Sequence, residues 1–540
     1  MLLNKASKEF QQPESAGNYY HESQEIQDHE KASPPSYISQ NLNEEEANEL
    51  QSGTVRGLTA RHIQMISLGG AIGTGLFLNS GSNIAEAGPA GALIAYCVYC
   101  IMTCLGEMAT FMPVSGSFNH YATRFVDPSL GFALDLAVTI STELAAAATI
   151  IKYWKEVMPD AAWSIIFLVL MIAINFLGVR IYGEMEYWFA LIKILIVIVF
   201  VIIAILATAG AIGGHTIGFE YWKNPGAFNN GAVGTVSVLL SAGFSFQGTE
   251  IVGITAGEAK NPTKTVPRAI RNTFWRILIF YVLTIFLIGM CLPFNNEDLQ
   301  NGDGGPGTAS FTLVFKVAGI EAGAHVINAV VLTSVLSACN SSMYTTSRTL
   351  LGLSRDNNAP AFLGRVNRFG APFWAVLFSS ITGFACVFVS IYSAEEAFIW
   401  FLSITAVTGF ISWAGIAGIH IRFRRAYIRQ GRSIDELPYK AMGYPFSGLF
   451  ACILCILIIL GQGYKAFTPE FKPITFVTNY IGIVPFVLCY VIHKLWTKSK
   501  VVPLEEVDFE TGRVTRLDIE KDNEEDKHIP RWKKVLAWII

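Results

Sequence analysis

The sequence predicts an all-α polytopic membrane protein, and three observations predict it. Of the 540 residues, 52% are hydrophobic and only 15% charged, whereas soluble domains average about 25% charged residues. The apolar residues form about 12 blocks, each long enough to cross a hydrocarbon core of about 30 Å. Two of these blocks, five apart, are interrupted by glycines and polar residues. The pattern predicts a five-plus-five inverted repeat with broken helices 1 and 6, plus two extra helices, and excludes a soluble enzyme.

The blocks divide the chain into a 12-helix membrane domain, residues 56–500, between two polar tails, residues 1–55 and 501–540. Repeat one is expected at about 63–212, repeat two at about 232–419 and the extra helices at about 446–494. The predicted spans are 63–84, 89–112, 130–156, 161–180, 186–212, 232–255, 275–294, 311–341, 373–393, 397–419, 446–465 and 474–494.

Both tails are predicted to be solvated. Residues 1–55 are rich in Glu, Gln, Asn and Ser and cannot bury enough apolar surface to fold. Their lysines Lys5, Lys8 and Lys31 are candidate attachment sites for ubiquitin-ligase machinery acting on the tails. Residues 501–534 are again charged, and the amphipathic stretch 532–540 is expected to rest on the membrane surface.

The charges predict how the domain is oriented. Lysines and arginines cluster after spans six, eight and ten, whereas the alternate segments 295–307 and 393–397 carry acidic residues and no basic ones. The positive-inside rule then places both termini in the cytoplasm. The formal net charge of -3 gives no basic surplus for a nucleic acid partner.

Span one contains four glycines within seven positions, Gly69, Gly70, Gly73 and Gly75, with Thr74 among them. Each glycine weakens a helix by about 1 kcal/mol relative to alanine. Glycines also occur where membrane helices merely pack closely, but four of them favour an unwound segment at mid-membrane depth.

Span six supplies the counterpart, with glycines and polar groups between Gly243 and Gly253. Paired broken helices mark the substrate site of inverted-repeat transporters, where helix N-termini meet an anionic group and unwound carbonyls meet a cation. An amino-acid zwitterion has both groups. The pair therefore fits an α-amino acid better than a sugar.

An ionisable residue within a span costs at least about 2.5 kcal/mol and therefore needs a partner or a function. Glu143 in span three is either a wall of the substrate pocket or a hydrogen-bond partner of a broken helix. Lys193 in span five is either a proton carrier or a fixed counter-charge. Glu250 in span six and Glu107 in span two are less distinctive, and Glu107 is expected to reach the membrane interface.

With these residues in view, the chain from about Arg56 to Thr511 resembles the fungal amino-acid permeases of the amino acid/polyamine/organocation superfamily. The matching segments are GGAIGTGLF at 69–77, GEMA at 106–109, PVSGSF at 113–118, FQGTE at 246–250, AGEAKNP at 256–262 and VPRAI at 266–270. The resemblance implies proton-driven amino-acid uptake at the plasma membrane.

The resemblance also implies a site. The substrate carboxylate is expected at the amides of Gly73, Thr74 and Gly75, and Phe244 as an aromatic lid. Lys193 matches a lysine that replaces a sodium ion between spans one and eight in a proton-coupled relative, and Glu250 is assigned to proton coupling with it. The substrate ammonium group is expected at the carbonyls near these residues: Ala71, Ile72, Phe244 and Ser245.

Segments 401–410, 435–441 and 461–467 are most similar to arginine/lysine permeases, with Glu143 and Thr405 placed near the substrate side chain. The small residues at 145–148 leave room for several substrates. Basic amino acids therefore rank first, a broad or neutral range second and proline or another small neutral substrate third. Asn340 is expected either to line the site or to help cap span eight.

Three other classes of protein, a channel, a nutrient sensor and an enzyme, are alternatives to a transporter. A channel also needs polar residues at mid-membrane, but paired broken helices with a lone lysine favour alternating access. The sequence is also compatible with a nutrient sensor built on the same fold. An enzyme is not predicted, because no nucleophile–base pair or phosphate loop is seen. Cys97/Cys100 and Cys452/Cys455 lack the further ligands of a zinc site, so neither a metal nor a cofactor is expected.

Overall fold

The computed structural model describes residues 58–97, 102–114, 116–134, 139–154, 157–259, 262–300, 310–367, 369–441, 443–467 and 470–514. Within these ranges the regular secondary structure is helical, apart from an isolated β-bridge between Leu58 and Ala259. The all-α fold class is therefore confirmed. The predictions for residues 1–55 and for the amphipathic stretch 532–540 lie outside the described residues.

The first half of the domain contains twelve described α-helices, several of them separated by short breaks. They are α1 Ala60–Ala71, α2 Thr74–Phe77, α3 Asn79–Cys97, α4 Met102–Phe111, α5 Ser117–Phe125, α6 Pro128–Ala133, α7 Thr139–Ile151, α8 Asp160–Asn175, α9 Val179–Thr208, α10 Gly231–Ser237, α11 Leu239–Phe246 and α12 Ile251–Thr255. A π-helical turn, Trp222–Gly226, precedes α10.

The second half is built from longer helices. They are α13 Pro262–Cys291, α14 Glu297–Gln300, α15 Ser310–Val317, α16 Glu321–Arg355, α17 Phe373–Ser390, α18 Ala394–Arg429, α19 Phe446–Gly461, α20 Pro473–Tyr480 and α21 Ile483–Thr497. The predicted span 311–341 was wrong in its bounds. A separate short helix, α15, ends at Val317. Gly319, with a φ of 76°, lies between it and the long helix α16, which continues to Arg355.

Both predicted helix breaks are present. Span one stops being helical at Ile72 (ψ 94°) and Gly73 (φ −144°, ψ −143°) before α2 begins. Span six is interrupted by Gln247 (ψ 148°) and by Gly248, whose φ of 94° favours glycine. A Cβ atom at Gly248 would also lie 2.6 Å from the carbonyl oxygen of Gly70. The two breaks therefore lie against each other.

Within the described residues, five helices are long and apolar enough to cross a membrane: α9, α13, α16, α17 and α18. The pair α20 and α21, bent by 50°, makes a sixth. The broken spans one and six are not among these helices, because each break divides an apolar segment into helices that are too short to cross a membrane alone. The expected total of about 12 spans stays a prediction.

Several basic residues predicted in loops belong to helices instead. Arg268, Arg271 and Arg276 are part of α13, and Arg348 and Arg355 are part of α16. Hydropathy locates only the apolar part of a helix. The polar ends beyond it continue the same backbone hydrogen bonding.

Residues 501–514, which follow α21, pack against the helical domain. This corrects the prediction of a solvated tail for that part of residues 501–534, and the remainder lies outside the described residues. We call residues 501–514 the C-terminal strap. Its backbone is anchored at both ends, since the amide of Val502 donates to the carbonyl of Val126 (2.9 Å) and that of Val514 to the carbonyl of Phe111 (3.0 Å). Phe509 is 1% exposed. Its ring packs against four aromatic rings of α4, α5 and α18: Phe111, Phe125, Phe423 and Tyr427.

Replacing Phe509 by alanine should release the strap. Removing a buried phenylalanine ring costs about 3–5 kcal/mol, which raises the detached fraction by at least about 100-fold. We expect faster tryptic cleavage at Arg513 of the purified protein, with the fragment identified by mass spectrometry. Glu506→Ala, which changes an exposed residue of the same segment, should leave the rate unchanged. Equal rates in all three proteins would contradict the anchoring role of Phe509.

Candidate functional site

A cavity of about 100 Å³, large enough for several water molecules, lies beside both helix breaks. The helices around it are α1 and α2 of span one, α5, α7, α11 and α12 of span six, α16 and α18. Its lining includes eight of the residues predicted for the site: Ala71, Gly73, Thr74, Gly75, Glu143, Phe244, Glu250 and Thr405. The remaining predicted residues, Ile72, Ser245, Asn340 and Lys193, lie behind this lining.

Glu143 joins α7 to the start of α2. Its Oε1 atom accepts a hydrogen bond from Thr74 Oγ1 (3.0 Å), while Oε2 is buried without a hydrogen-bond partner among the described residues. The predicted hydrogen bond of Glu143 to a broken helix is therefore confirmed, and Glu143 also lines the cavity. A carboxylate oxygen in this position is suited to accept a hydrogen bond from a cationic group.

Three further predicted residues complete the cavity wall. Thr405 of α18 shares a hydrogen bond with Thr142 of α7 (2.8 Å between the hydroxyl oxygens). Phe244, only 5% exposed, lies at the end of α11. Both carboxylate oxygens of Glu250 accept a hydrogen bond from the amide of Gly248 (3.1 Å each), so this side chain also caps the break in span six.

Two of the carbonyls assigned to the substrate ammonium group already have a donor. The buried hydroxyl of Tyr281 on α13 lies 2.7 Å from the carbonyl oxygens of Ala71 and Ser245. A hydroxyl has one proton and each carbonyl has two lone pairs. The carbonyls can therefore still accept from an ammonium group, and Tyr281 ties the two broken helices together.

The broken helices also touch through their small residues. A Cβ atom at Gly75 would lie 2.4 Å from the Cα atom of Ser245, and one at Gly70 would lie 2.5 Å from Cδ1 of Ile251. Such contacts cannot be relieved where the neighbour is backbone. Gly75 is thus required for close packing of span one on span six.

Lys193 lies behind the cavity, in the middle of α9. It is 1% exposed, and its Nζ atom donates to the carbonyl oxygen of Gly69 (2.5 Å) just before the break in span one. The ammonium group of Lys193 thereby connects α9 to the last turn of span one before its break. The two carboxylates that act on it electrostatically are Glu186 and Glu143.

Asn340 does not help cap span eight, because it lies in the interior of α16. Its side chain donates to Glu186 Oε1 (2.9 Å) and accepts from Asn175 (2.8 Å), and it is absent from the cavity lining. Its contacts indicate a role in holding Glu186 rather than in contacting substrate.

Two buried carboxylate–arginine pairs lie outside the cavity lining. Glu107 is fully buried, so its expected position at the membrane interface was wrong. Its carboxylate binds Nε and Nη2 of Arg424 and accepts from the amide of Ala441 (2.7 Å). A second pair joins Glu258 to Arg348 (3.4 Å).

Glu186 and Tyr281 are the residues that the sequence analysis missed. Glu186 stood at the first position of a predicted span, whereas α9 begins seven residues earlier at Val179. Its spacing of seven from Lys193, two helical turns, could have indicated a shared face. Tyr281 could have been found as a hydroxyl inside an apolar block, since buried tyrosines usually find a hydrogen-bond partner.

The charges on the cavity wall have one sign. Glu143 and Glu250 line it, and none of its described lining residues is Lys, Arg or His. The rest of the lining is mostly glycine, threonine and serine. This wall is suited to a small molecule that carries positive charge and several hydrogen-bond donors.

Known proteins with similar sequences are transporters. The amino acid permease family model matches residues 62–505. A lysine-specific permease of Lactococcus lactis is 42% identical over 494 residues, covering 87% of this chain and 96% of the relative. The basic amino-acid permease of Saccharomyces cerevisiae is 41% identical over 483 residues, covering 85% of this chain and 84% of the relative.

A solved structure supports the fold. The manganese transporter of Eremococcus coleocola matches 86% of this chain and 95% of its own, with a TM-score of 0.51 at 12% identity. At this identity the match concerns the fold alone. The family model and the relatives cover most of the chain, so it is a membrane transporter rather than an enzyme and belongs to the amino acid permease family.

Proposed function

We propose that this protein takes up basic amino acids, arginine and lysine, across the plasma membrane by proton-coupled alternating access. The observation that carries the proposal is the buried, unpartnered Oε2 atom of Glu143 in a cavity between two broken helices. The amides at the start of α2 suit the substrate carboxylate, because a helix N-terminus favours an anion.

The substrate class follows from the cavity wall. A guanidinium or side-chain ammonium group next to Glu143 would form a charge-assisted hydrogen bond. Thr405, whose hydroxyl shares a hydrogen bond with Thr142, lines the same cavity as Glu143 and supports this choice. Two relatives with more than 40% identity are named for lysine or basic amino acids, and this supports the same choice.

Proton coupling is assigned to Lys193. It is the lysine whose ammonium group holds Gly69, at the break in span one, against α9. A change in its protonation would alter this bond and so the position of span one. Glu250, which caps the other break, is the second residue proposed for coupling.

The proposal also includes the orientation of the protein in the membrane and its partners in the cytoplasm. The basic helix ends and the acidic segments 295–307 and 393–397 support cytoplasmic termini. The N-terminal lysines would then face the ubiquitin-ligase machinery of the cytoplasm.

The proposed function is tested by uptake of labelled arginine into cells that lack their own arginine uptake. Each of the other amino acids is added as a competitor at acidic and at neutral pH. We expect saturable uptake that is faster at acidic pH and that lysine inhibits most strongly. Equal inhibition by neutral amino acids would favour the broad-range alternative. Absence of both arginine entry and arginine competition would refute a basic substrate.

Glu143→Gln tests the carboxylate itself. Glutamine can still accept from Thr74 but carries no charge, so the arginine side chain loses a charge-assisted hydrogen bond worth about 1.5–3 kcal/mol. We expect the apparent affinity for arginine to fall about 10- to 100-fold in the competition assay. Glu395→Gln, at an exposed carboxylate, is the matched control. Unchanged arginine affinity in Glu143→Gln would remove Glu143 from the substrate site.

A further inference from the structure

Glu186 is a fully buried carboxylate on α9, with both oxygens held by α16. Its Oε2 atom accepts from the hydroxyl of Ser337 (2.8 Å), and its Oε1 atom accepts from the amide of Asn340 (2.9 Å). Burying a carboxylate costs free energy unless it is paired or hydrogen-bonded. The hydrogen bonds fix the carboxylate in place, and they leave its negative charge to be balanced.

Glu186 and Lys193 reach the same residue of span one. Seven positions separate them, about two turns, so they share one face of α9. The ammonium group of Lys193 donates to the carbonyl of Gly69 (2.5 Å). A Cβ atom at Gly69 would lie 3.5 Å from Glu186 Oε2 and 3.3 Å from the Cβ atom of Ala190. Gly69 is therefore packed between the carboxylate and the lysine.

The charged groups around this pair are few. Among the described residues, the groups that act electrostatically on Lys193 are Glu186 on its own helix and Glu143 from α7. Those that act on Glu186 are Lys193 and the phenol of Tyr182, whose hydroxyl donates to Ser341 of α16 (3.1 Å). The charges of both carboxylates thus favour the protonated form of Lys193.

The two carboxylates differ in what they can do. Glu143 lines the cavity and has an unpartnered oxygen, so a substrate cation can bind it. Glu186 is absent from the cavity lining and has both oxygens bonded to α16. When substrate engages Glu143, the negative charge that remains for Lys193 is that of Glu186.

We propose that Glu186 is a positioning residue for proton coupling, the fixed counter-charge that keeps Lys193 protonated and bound to Gly69. This inference rests on the proposed function, in which Lys193 carries the coupled proton. A buried ammonium group is stable only when an opposite charge is close. Glu186 supplies that charge in every substrate state, and Glu143 supplies it only while the site holds no cation.

The test is Glu186→Gln in proteoliposomes, with labelled arginine and the membrane potential clamped. Removing the counter-charge makes Lys193 lose its proton more easily, so the pH of half-maximal uptake should move toward acid by about one unit or more. The initial rate of uptake driven by a pH gradient should fall about tenfold at neutral external pH. Exchange of internal for external substrate, which needs no net proton movement, should stay within about twofold of wild type.

Two matched controls separate charge from structure. Ser337→Ala removes a hydrogen bond to Glu186 but keeps its charge, and Glu184→Gln removes a partly exposed carboxylate of the same helix. Ser337→Ala should move the pH profile much less than Glu186→Gln does, because the charge stays, and Glu184→Gln should leave it unchanged. A profile that Ser337→Ala and Glu186→Gln shift equally would overturn the counter-charge role. If the glutamine variant does not reach the membrane, Glu186→Asp, with its shorter carboxylate, should shift the profile in the same direction by less. An unshifted profile in that variant would overturn the proposal.

The failure of this inference can be told from the failure of the proposed function. If uptake by the wild-type protein does not depend on the pH gradient, proton coupling itself is refuted, and the role of Glu186 with it. If wild-type uptake is driven by the pH gradient and Glu186→Gln has the same pH profile as wild type, only the role of Glu186 is overturned.

Discussion

Lys193→Met should abolish the accumulation of substrate against its gradient. Methionine matches the length of lysine but carries no proton, so the variant cannot couple substrate movement to proton movement. With one proton per substrate and no membrane potential, a gradient of one pH unit supports about tenfold accumulation. We expect this ratio in wild-type proteoliposomes and a ratio of about one in the variant.

The measurement needs evidence that the variant is folded. Exchange of labelled internal substrate for unlabelled external substrate supplies it, because exchange requires the binding site and the conformational change but no net proton flux. Lys316→Met, at an exposed lysine of α15, is the matched control and should accumulate substrate normally. A Lys193→Met protein that still concentrates arginine would refute the assignment of coupling to this residue.

The structural reason for so large an effect is the position of Lys193. Its ammonium group bonds to the last helical turn of α1, three residues before the backbone leaves the helix at Ile72. Span one contacts the cavity on its other side through Gly73 and Thr74. Protonation and substrate binding thus act on opposite sides of one short, broken segment, and that geometry allows each to affect the other.

The helix breaks were predictable because their signal is local. Glycines and hydroxyls inside an apolar block oppose a continuous helix wherever the block lies, and both breaks occur where the sequence placed them. Glu143 and Lys193 were identifiable for a similar reason, since a charge within an apolar span requires a partner or a function.

The partners themselves were not predictable, because they come from distant parts of the chain. Arg424 lies 317 residues from Glu107, and neither composition nor periodicity joins them. Tyr281 lies 210 residues from Ala71. Hydropathy alone also favoured a solvated tail after α21. It could not show that Phe509 would be covered by the aromatic ends of three helices.

The pair of Glu107 and Arg424 should be the most sensitive stability element outside the cavity. Glu107 is fully buried and accepts from Arg424, from the amide of Ala441 and lies 3.3 Å from His420. Glu107→Leu leaves the arginine buried without its carboxylate, and breaking such a pair costs about 3–5 kcal/mol. That is a large part of the stability of a typical protein. We expect little folded protein in a size-exclusion assay of the solubilised variant.

The double variant Glu107→Leu/Arg424→Leu shows whether the charges themselves are responsible. Replacing both members of a buried pair by apolar residues is often close to neutral, so the double variant should recover much of the folded fraction and of the thermal midpoint. Asp435→Asn breaks the exposed pair of Asp435 with Lys440 and should change neither the folded fraction nor the thermal midpoint.

A normally folded Glu107→Leu protein would show that Arg424 does not need this carboxylate. A double variant no better than the single one would show that the loss comes from the bonds to Ala441 and His420. Recovery in the double variant alone would instead establish that the ion pair joins α4 to α18 as a unit, since neither charge can then be buried without the other.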